Sequence, residues 1–344
     1  MATRLKDIAA QAGVSTTTVS RILNGREGGV PIREETRQKV LSLASELGYK
    51  PNIMARALRG SRSTLLGVIA VNITSLFHTQ ILRGVNDVAV RRNYRVFLGH
   101  VQRQVDIAID YGSMFEQSHA DGILIVGELS GHSEALDVLA HHHRYLVGVS
   151  DRIGRGNTYP GVYTDNVLGT ELALDHLWGL GHRRIMCVTD PALQDGRQRC
   201  ETYERFMTEH GAAEHVRVVP TPRSLQESFR TGQSIFSTED YPTAIFAVND
   251  AISIGLLQAA FQAGVSVPGE ISIVGFDDID IAAFTIPPLT TVRQSGFELG
   301  QAAANLLLDM IEQERESSAV DDIVLKPTLV VRQSTAAPRS ARSE

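Results

Sequence analysis

Residues Leu5–Asn24 read LKDIAAQAGVSTTTVSRILN, and this stretch decides how the first part of the chain folds. Leu5, Ile8, Ala9 and Ala12 recur at the spacing that places side chains on one helical face, and Gly13 breaks the run. Ser15 suits the cap of a second helix, because its hydroxyl can accept an unpaired N–H of the first turn. That helix has its own apolar stripe in Val19, Ile22 and Leu23. Two short amphipathic helices joined by a glycine-containing turn make a helix-turn-helix, whose second helix enters the DNA major groove with its N-terminal residues towards base edges. Here those residues are Thr16, Thr17 and Thr18, followed by Arg21. A helical hairpin in an ordinary core shows the same short pattern, so the rest of the chain must decide.

Charge points the same way. Between residues 1 and 62 eleven Lys/Arg stand against five Asp/Glu, a net +6, whereas the remainder carries −12. A basic head on an acidic body implies a polyanionic partner for the head alone. The head continues through the polar loop GREGGVPIREE into a third helix. Thr36, Val40, Ala44 and Leu47 share a face of that helix, Glu34 and Glu35 occupy its first turn, and Gly48 ends it. Beyond Pro51, Asn52 is placed to cap a helix over Ile53–Arg59. Two turns are unstable alone in water, so this segment reads as a hinge that folds on binding, followed by a Gly60-Ser61-Ser63 linker.

From Leu65 the pattern changes. The apolar runs LLGVIAV, RVFLGH, GILIVG and YLVGVSD alternate with helical segments, and a second series follows: RRIMCVTD, VRVVP, TAIFAVND and ISIVGFDD. Continuous apolar strands alternating with helices imply parallel sheets covered on both faces, here two doubly wound lobes. Ligands then bind at the carboxyl ends of the strands. Asp151, Asp190, Asn249, Asp250, Asp277 and Asp278 all follow such runs. No GxGxxG follows the first strand, and P-loop, nucleophile-elbow and metal-ligand motifs are missing, which argues against an enzyme and against any cofactor. His141, His142 and His143 lack spaced acidic or cysteine partners and read as a solvated helix end, and Trp178 reads as helix packing. Cys187 and Cys200 form no disulfide framework, and the N-terminus has no apolar signal core, so the reading is cytoplasmic with no membrane association.

The motifs in order are KDIAAQAGVSTTTVSRILNG, EETRQKVLSLASELGYKPN, ARALRG, ADGILIVG, TDNVLGT, LGHRRI, FAVNDAISIGLLQA, ISIVGFDDI, PPLTTVRQ and LVVRQST. Together they resemble the lactose-repressor/galactose-repressor family of bacterial transcription regulators across nearly the whole chain. The resemblance implies an all-α helix-turn-helix head and an α/β two-lobed body similar to periplasmic sugar-binding proteins. It divides the chain into a DNA-binding domain 1–49, a hinge 50–63, a first subdomain 64–163 plus 293–322, a second 164–292 plus 323–335, and a tail 336–344.

The resemblance also implies a homodimer on a roughly palindromic operator and a small-molecule effector, expected to be a sugar or sugar derivative. Thr16, Thr17 and Arg21 fall at its base-reading positions and Asn24 near a backbone contact. Leu58 matches a hinge leucine that wedges into the minor groove, flanked by Ala55 and Arg56. Phe77, His78, Asp151, Arg197, Asn249 and Asp277 match effector-pocket positions. Asn249 and Asp277 could instead be helix caps, and for Asp250 and Asp278 the cap is the favoured reading. The chain departs from the family pattern in a longer loop after the recognition helix, in Ser75-Leu76-Phe77, in Thr202, and in PTPRSLQES, which lacks a stacking aromatic. Val126 stands where some sugar-binding members of the family carry a polar group, with Glu128 as a candidate substitute. A repressor of carbohydrate genes is the first expectation. An activator, or a purine- or nucleoside-responsive regulator of the same fold, is the alternative.

Overall fold

A computed structural model describes residues 3–23, 31–49, 62–102, 104–129, 133–150, 159–238 and 240–338. The chain divides into two units, Met1–Ser63 and Thr64–Glu344. In the first unit, α1 (Leu5–Ala12), α2 (Thr16–Leu23) and α3 (Glu34–Glu46) enclose a small core of Ile8, Ala9, Ala12, Val19, Ile22, Val40 and Ala44. Gly13 ends α1 at φ 74°, in the left-handed region that glycine enters without strain, and its N–H returns to the Ala9 carbonyl. Seven buried residues make a thin core, in keeping with how little surface so small a domain can remove from water.

The second unit contains two six-stranded sheets. The first has the order β11-β5-β4-β3-β1-β2 and is parallel throughout. It comprises β1 Leu65–Ala70, β2 Arg95–His100, β3 Gly122–Val126, β4 Leu146–Val149, β5 Gly161–Thr164 and β11 Ile323–Leu325. The second has the order β12-β10-β9-β8-β6-β7. It comprises β6 Ile185–Thr189, β7 Arg217–Pro220, β8 Ala244–Ala247, β9 Ser272–Asp277, β10 Thr290–Arg293 and β12 Thr328–Val330, and only β12 runs antiparallel. The central strands are buried throughout, save Leu65 at the start of β1, as their uninterrupted apolar runs require. The edge strands β2 and β7 are not, and Phe97 and Leu98 of β2 are about half exposed. The expectation of strands covered on both faces fails at those edges, because an edge has a neighbour on one side only.

The chain passes between the lobes three times: after β5, after β10, and between β11 and β12. The last crossing corrects the boundary expected at residue 322. Ile323, Val324 and Leu325 pair with Val162, Tyr163 and Thr164, so β11 belongs to the first lobe and the change of lobe falls between Leu325 and Thr328. The helix Gly296–Gln313 returns to the first lobe against the helix Leu76–Arg91. Their contact depends on Gly84 and Gly300, where a side chain would collide with the Phe297 and Ile81 carbonyls. No described helix is long and apolar enough to cross a membrane.

Candidate functional site

The first unit presents a candidate nucleic-acid surface. The Thr18 N–H donates to the Ser15 hydroxyl at 3.1 Å, the cap expected from the sequence. This cap fixes where α2 starts and leaves Thr16 and Thr17 exposed on its first turn. Arg21 lies one turn beyond Thr17 on the same face. The Thr18 hydroxyl is instead within 2.9 Å of Ser15 Oγ, so part of its hydrogen-bonding capacity goes to closing the cap. Asn24, Ala55, Arg56 and Leu58 lie outside the described residues, as does Asp151 of the expected effector site.

The second unit has a cavity of about 520 Å³ between its lobes, at the carboxyl ends of both sheets. The first lobe lines it from the end of β1 and the start of the helix Leu76–Arg91, including Asn72, Phe77 and His78, and from Gly127 and Glu128 beyond β3. Ser75 caps that helix through the His78 N–H, and the His78 ring nitrogen Nδ1 is 3.1 Å from the Asn72 carbonyl. The second lobe contributes Asp190, Asp195, Arg223, Asn249 and Asp277 from four successive strand ends, with Gln294 from the crossing after β10. Asn249 is both a cap and a wall residue. Its Oδ1 accepts the Ile252 N–H at 2.9 Å, which engages one lone pair of that oxygen and none of the donors of its NH2.

Behind the second-lobe wall is a network of charges. Arg223 holds Asp195 in a two-pronged pair, with N–O distances of 2.6 and 2.8 Å. Arg199 is 1% exposed, the largest fully buried side chain described. Its Nε donates to Asn166 Oδ1 and its Nη1 to the Val248 carbonyl, its Nη2 stands 3.5 Å from Asp195, and its guanidinium covers the Phe276 ring. Burial alone would raise the pKa of Asp195, but the guanidiniums of Arg223 and Arg199 outweigh it and hold the carboxyl below its usual range. Asp277 goes the other way. Burial pushes it up to about 6, against the pull of Arg199 and Arg223 and of the Gln294 amide, which donates to Oδ1 at 2.5 Å. The Asp277 backbone sits at φ 128°, a strained value for a side-chain-bearing residue, so the turn that delivers this carboxyl is built at a cost.

Of the expected effector residues, Phe77, His78, Asn249 and Asp277 come together on the cavity wall. Arg197 does not. Its side chain is 47% exposed, its Nη1 donates to the Pro191 carbonyl, and its Nη2 lies 3.7 Å from Glu128. On the helix Gln194–Glu209, position 197 faces outward, while positions 195 and 199, one turn apart, face in. Asp195, Arg199 and Arg223 were not anticipated. The Asp195–Arg199 spacing of four was visible in DGRQR, whereas Arg223 is marked only by following β7. Glu128 does line the cavity and Val126 is buried, but the Glu128 carboxylate is engaged across the cleft by the Gln194 N–H at 2.6 Å.

The cap readings of Asp250 and Asp278 are corrected. Asp250 accepts from the Thr291 hydroxyl and the Ile279 N–H, tying three segments together over Gly275, where no side chain fits. Asp278 pairs with Arg293 and Arg332. His141 and His142 are exposed as expected, but His143 is buried with Nε2 3.0 Å from the Gly112 carbonyl. Trp178 packs edge-on against Phe206 and His210, away from the cavity. Among the described residues no cluster of His, Cys, Asp and Glu has metal-binding geometry.

Comparison with known proteins places both units. A model of bacterial regulatory proteins of the lacI family matches residues 4–52, and a periplasmic binding protein-like domain matches residues 174–335. The HTH-type transcriptional repressor PurR of Erwinia tasmaniensis is 32% identical across 96% of each chain. The HTH-type transcriptional regulator DegA of Bacillus subtilis is 32% identical across 97% of this chain and 98% of its own. The crystal structure of the lac repressor dimer bound to operator and the anti-inducer ONPF matches with a TM-score of 0.87, at 25% identity over 98% of this chain and all of that one. A LacI family transcriptional regulator from Enterococcus faecium with bound ribose matches over 80% of this chain and all of its own, with a TM-score of 0.71 at 28% identity. The chain belongs to the lacI family of bacterial regulatory proteins, and is a DNA-binding transcription regulator rather than an enzyme.

Proposed function

We propose that this protein is a cytoplasmic repressor that binds a roughly palindromic operator as a homodimer and answers to a sugar or sugar derivative held in the cleft. Its targets are then genes of carbohydrate uptake or catabolism. The observation that carries the effector reading is the second-lobe wall, where the Asn249 NH2 and the Asp277 carboxylate adjoin one cavity. Together they can donate to and accept from neighbouring hydroxyls, and a site built on such bonds rejects analogues that lack them. Relatives with ribose or cellobiose in their structures support the same class.

A purine or nucleoside effector is the second reading, favoured by the similarity to PurR proteins. Against it stands the shortage of aromatic surface: Phe77 is the one aromatic ring besides His78 on the described wall, and it is 6% exposed. In the head, Thr16, Thr17 and Arg21 are assigned to base reading, with Thr18 at the cap. Asn24 is assigned to the DNA backbone, and Ala55, Arg56 and Leu58 to the hinge. An effector that prefers the low-affinity state induces, and one that prefers the operator-bound state corepresses.

The test has two stages on the full chain. Selection from a random duplex pool should return an inverted repeat, and Arg21→Ala should relax preference at particular base pairs rather than weaken all sequences alike. A thermal-melt screen of sugars, nucleosides and purine bases then names the effector class. A ligand at a hundred times its Kd adds about 2.7 kcal/mol to stability. Failure to prefer any sequence over competitor DNA would sink the operator assignment, and a purine as the tightest ligand would replace the sugar.

A further inference from the structure

The chain has two cysteines, and the fold of the second lobe sets them against each other. Both are free thiols. Cys187 lies in the middle of β6 and is fully buried, and Cys200 lies on the helix Gln194–Glu209 and is partly exposed. Two hydrogen bonds fix how this helix runs along the strand. The Thr189 hydroxyl donates to the Gly196 carbonyl at 2.9 Å, and the Tyr203 hydroxyl donates to the Ile185 carbonyl at 2.6 Å. Helix and strand therefore run in opposite directions. Cys187 stands midway between Ile185 and Thr189, on the strand face that Thr189 turns to the helix, because side chains alternate along a strand. Cys200 stands between Gly196 and Tyr203 and shares their helical face, at spacings of four and three. The two thiols are thus opposed, and the Cys187 S–H donates to Cys200 Sγ.

Their surroundings give the pair a direction. Burial, together with the bond it donates, pushes the Cys187 thiol well above its ordinary pKa. That same bond draws the Cys200 thiol down, against its partial burial and the carboxylates of Glu204 and Glu201. A buried cysteine by itself is a small apolar side chain, and packing explains it. A more accessible thiol of lowered pKa beside a second, resolving thiol is the arrangement that oxidation selects.

We propose that Cys200 and Cys187 form a modification site for hydroperoxides, at which Cys200 is oxidised first and the pair then closes to a reversible disulfide. With hydrogen peroxide, the Cys200 thiolate attacks one peroxide oxygen and the O–O bond breaks. Cys200 becomes a sulfenic acid, and the departing hydroxide takes up the proton that the thiol had released, giving water. Cys187 then loses its proton and attacks the Cys200 sulfur. The S–O bond breaks, and the second hydroxide leaves with that proton as water. The two thiols give up two electrons and two protons in all, and the peroxide is reduced to two waters. Because the sulfurs must close to about 2.05 Å, the product fastens the helix to β6. The same helix carries Asp195 and Arg199, so the bond acts on the element that braces the second-lobe wall.

The experiment is hydrogen peroxide titration of the reduced full chain, followed by alkylation of free thiols under denaturing conditions and mass spectrometry. Alkylatable thiols should fall from two per chain to none, with loss of two hydrogens and no cross-linking between chains, and dithiothreitol should restore both. Cys187→Ala should hold Cys200 as a sulfenic acid that dimedone traps. Cys200→Ser, at the partly exposed position, should leave Cys187 unoxidised at the same dose, and it decides the order of events if Cys187→Ala fails to fold. Amide exchange along Gln194–Glu209 should slow in the oxidised chain. Survival of both thiols at a dose that fully oxidises N-acetylcysteine would overturn the proposal. So would over-oxidation of Cys200 with Cys187 still free, a disulfide between chains in place of the internal one, or amide exchange that oxidation leaves unchanged.

Discussion

The two lobes of the body share one topology and divide the chemistry unequally. Strands β2-β1-β3-β4-β5 of the first lobe correspond in order to β7-β6-β8-β9-β10 of the second, and both sheets direct their carboxyl ends at the same cavity. The second lobe brings five ionisable or amide side chains there, braced from behind by the buried Arg199. The first brings Asn72, Phe77, His78, the cap Ser75 and one carboxylate, Glu128, which reaches across to the N-terminus of a second-lobe helix. Equal folds therefore do not make equal partners, because the sheet fixes where strand ends lie and the residues at those ends fix what they do. The second lobe is a prepared polar floor. The first is a cover that adds surface and one ionic tie.

The most forceful way to break this comparison is to remove the brace. Arg199→Met keeps length and packing but leaves Asp195 and Asp277 without the charge behind them. Deleting one partner of a buried ionic network typically costs about 3–5 kcal/mol, since the remaining charge stays buried and uncompensated. The expected result is a loss of that order in chemical denaturation of the body, with a weakened effector response. A variant as stable as the parent would mean that Arg223 alone balances the floor.

Asp277→Asn sharpens the comparison by separating stability from function. Burial raises the folded pKa of Asp277 to about 6 from the ordinary value of 3.8, so between those values the folded protein binds more protons than the unfolded chain. The group's contribution therefore opposes folding fully above about pH 6 and is relieved as pH falls from 6 towards 3.8. Asp195 has the opposite sign. Its lowered pKa supplies stability above the ordinary carboxylate range that is lost on acidification. Asp277→Asn should accordingly raise the melting temperature at pH 8 more than at pH 5, while weakening effector binding about tenfold or more. Equal shifts at the two pH values would show that Asp277 is ionised normally in the folded protein.

How much of this was legible beforehand depends on the kind of signal. The helix-turn-helix and the eight apolar strands were readable because periodicity and burial impose themselves on every residue of an element. The crossing strands β5, β10, β11 and β12 were not: β11 and β12 are only three residues long, and β5 and β10 set Thr164, Thr290 and Thr291 among their apolar positions. Asn249 and Asp277 stand among six polar residues that end apolar runs, and it was the family resemblance that singled them out. Arg223 was not found, because it lies in the short polar connection TPRS, where nothing distinguishes a wall residue from a solvated one. Arg199 rather than Arg197 stands behind the wall because of helical phase. Once Asp195 faces the cleft, a residue four positions on shares its face, and one two positions on is turned by about 200° at 3.6 residues per turn.

The outward-facing Arg197 gives the smallest expected effect and the finest test. Arg197 is half exposed, and its charge lies 3.7 Å from Glu128, a separation at which a solvated pair contributes about 0–1 kcal/mol. Glu128 retains its shorter bond from the Gln194 N–H at 2.6 Å whether or not Arg197 is present. Arg197→Ala should therefore change effector affinity by less than about threefold in calorimetric titration and leave the denaturation midpoint nearly unmoved. If effector binding were instead abolished, Arg197 would have to swing from the rim onto the ligand when the lobes close. The cover would then hold its tie to the floor only in the empty protein, and the division of labour between the lobes would have to be redrawn around that exchange.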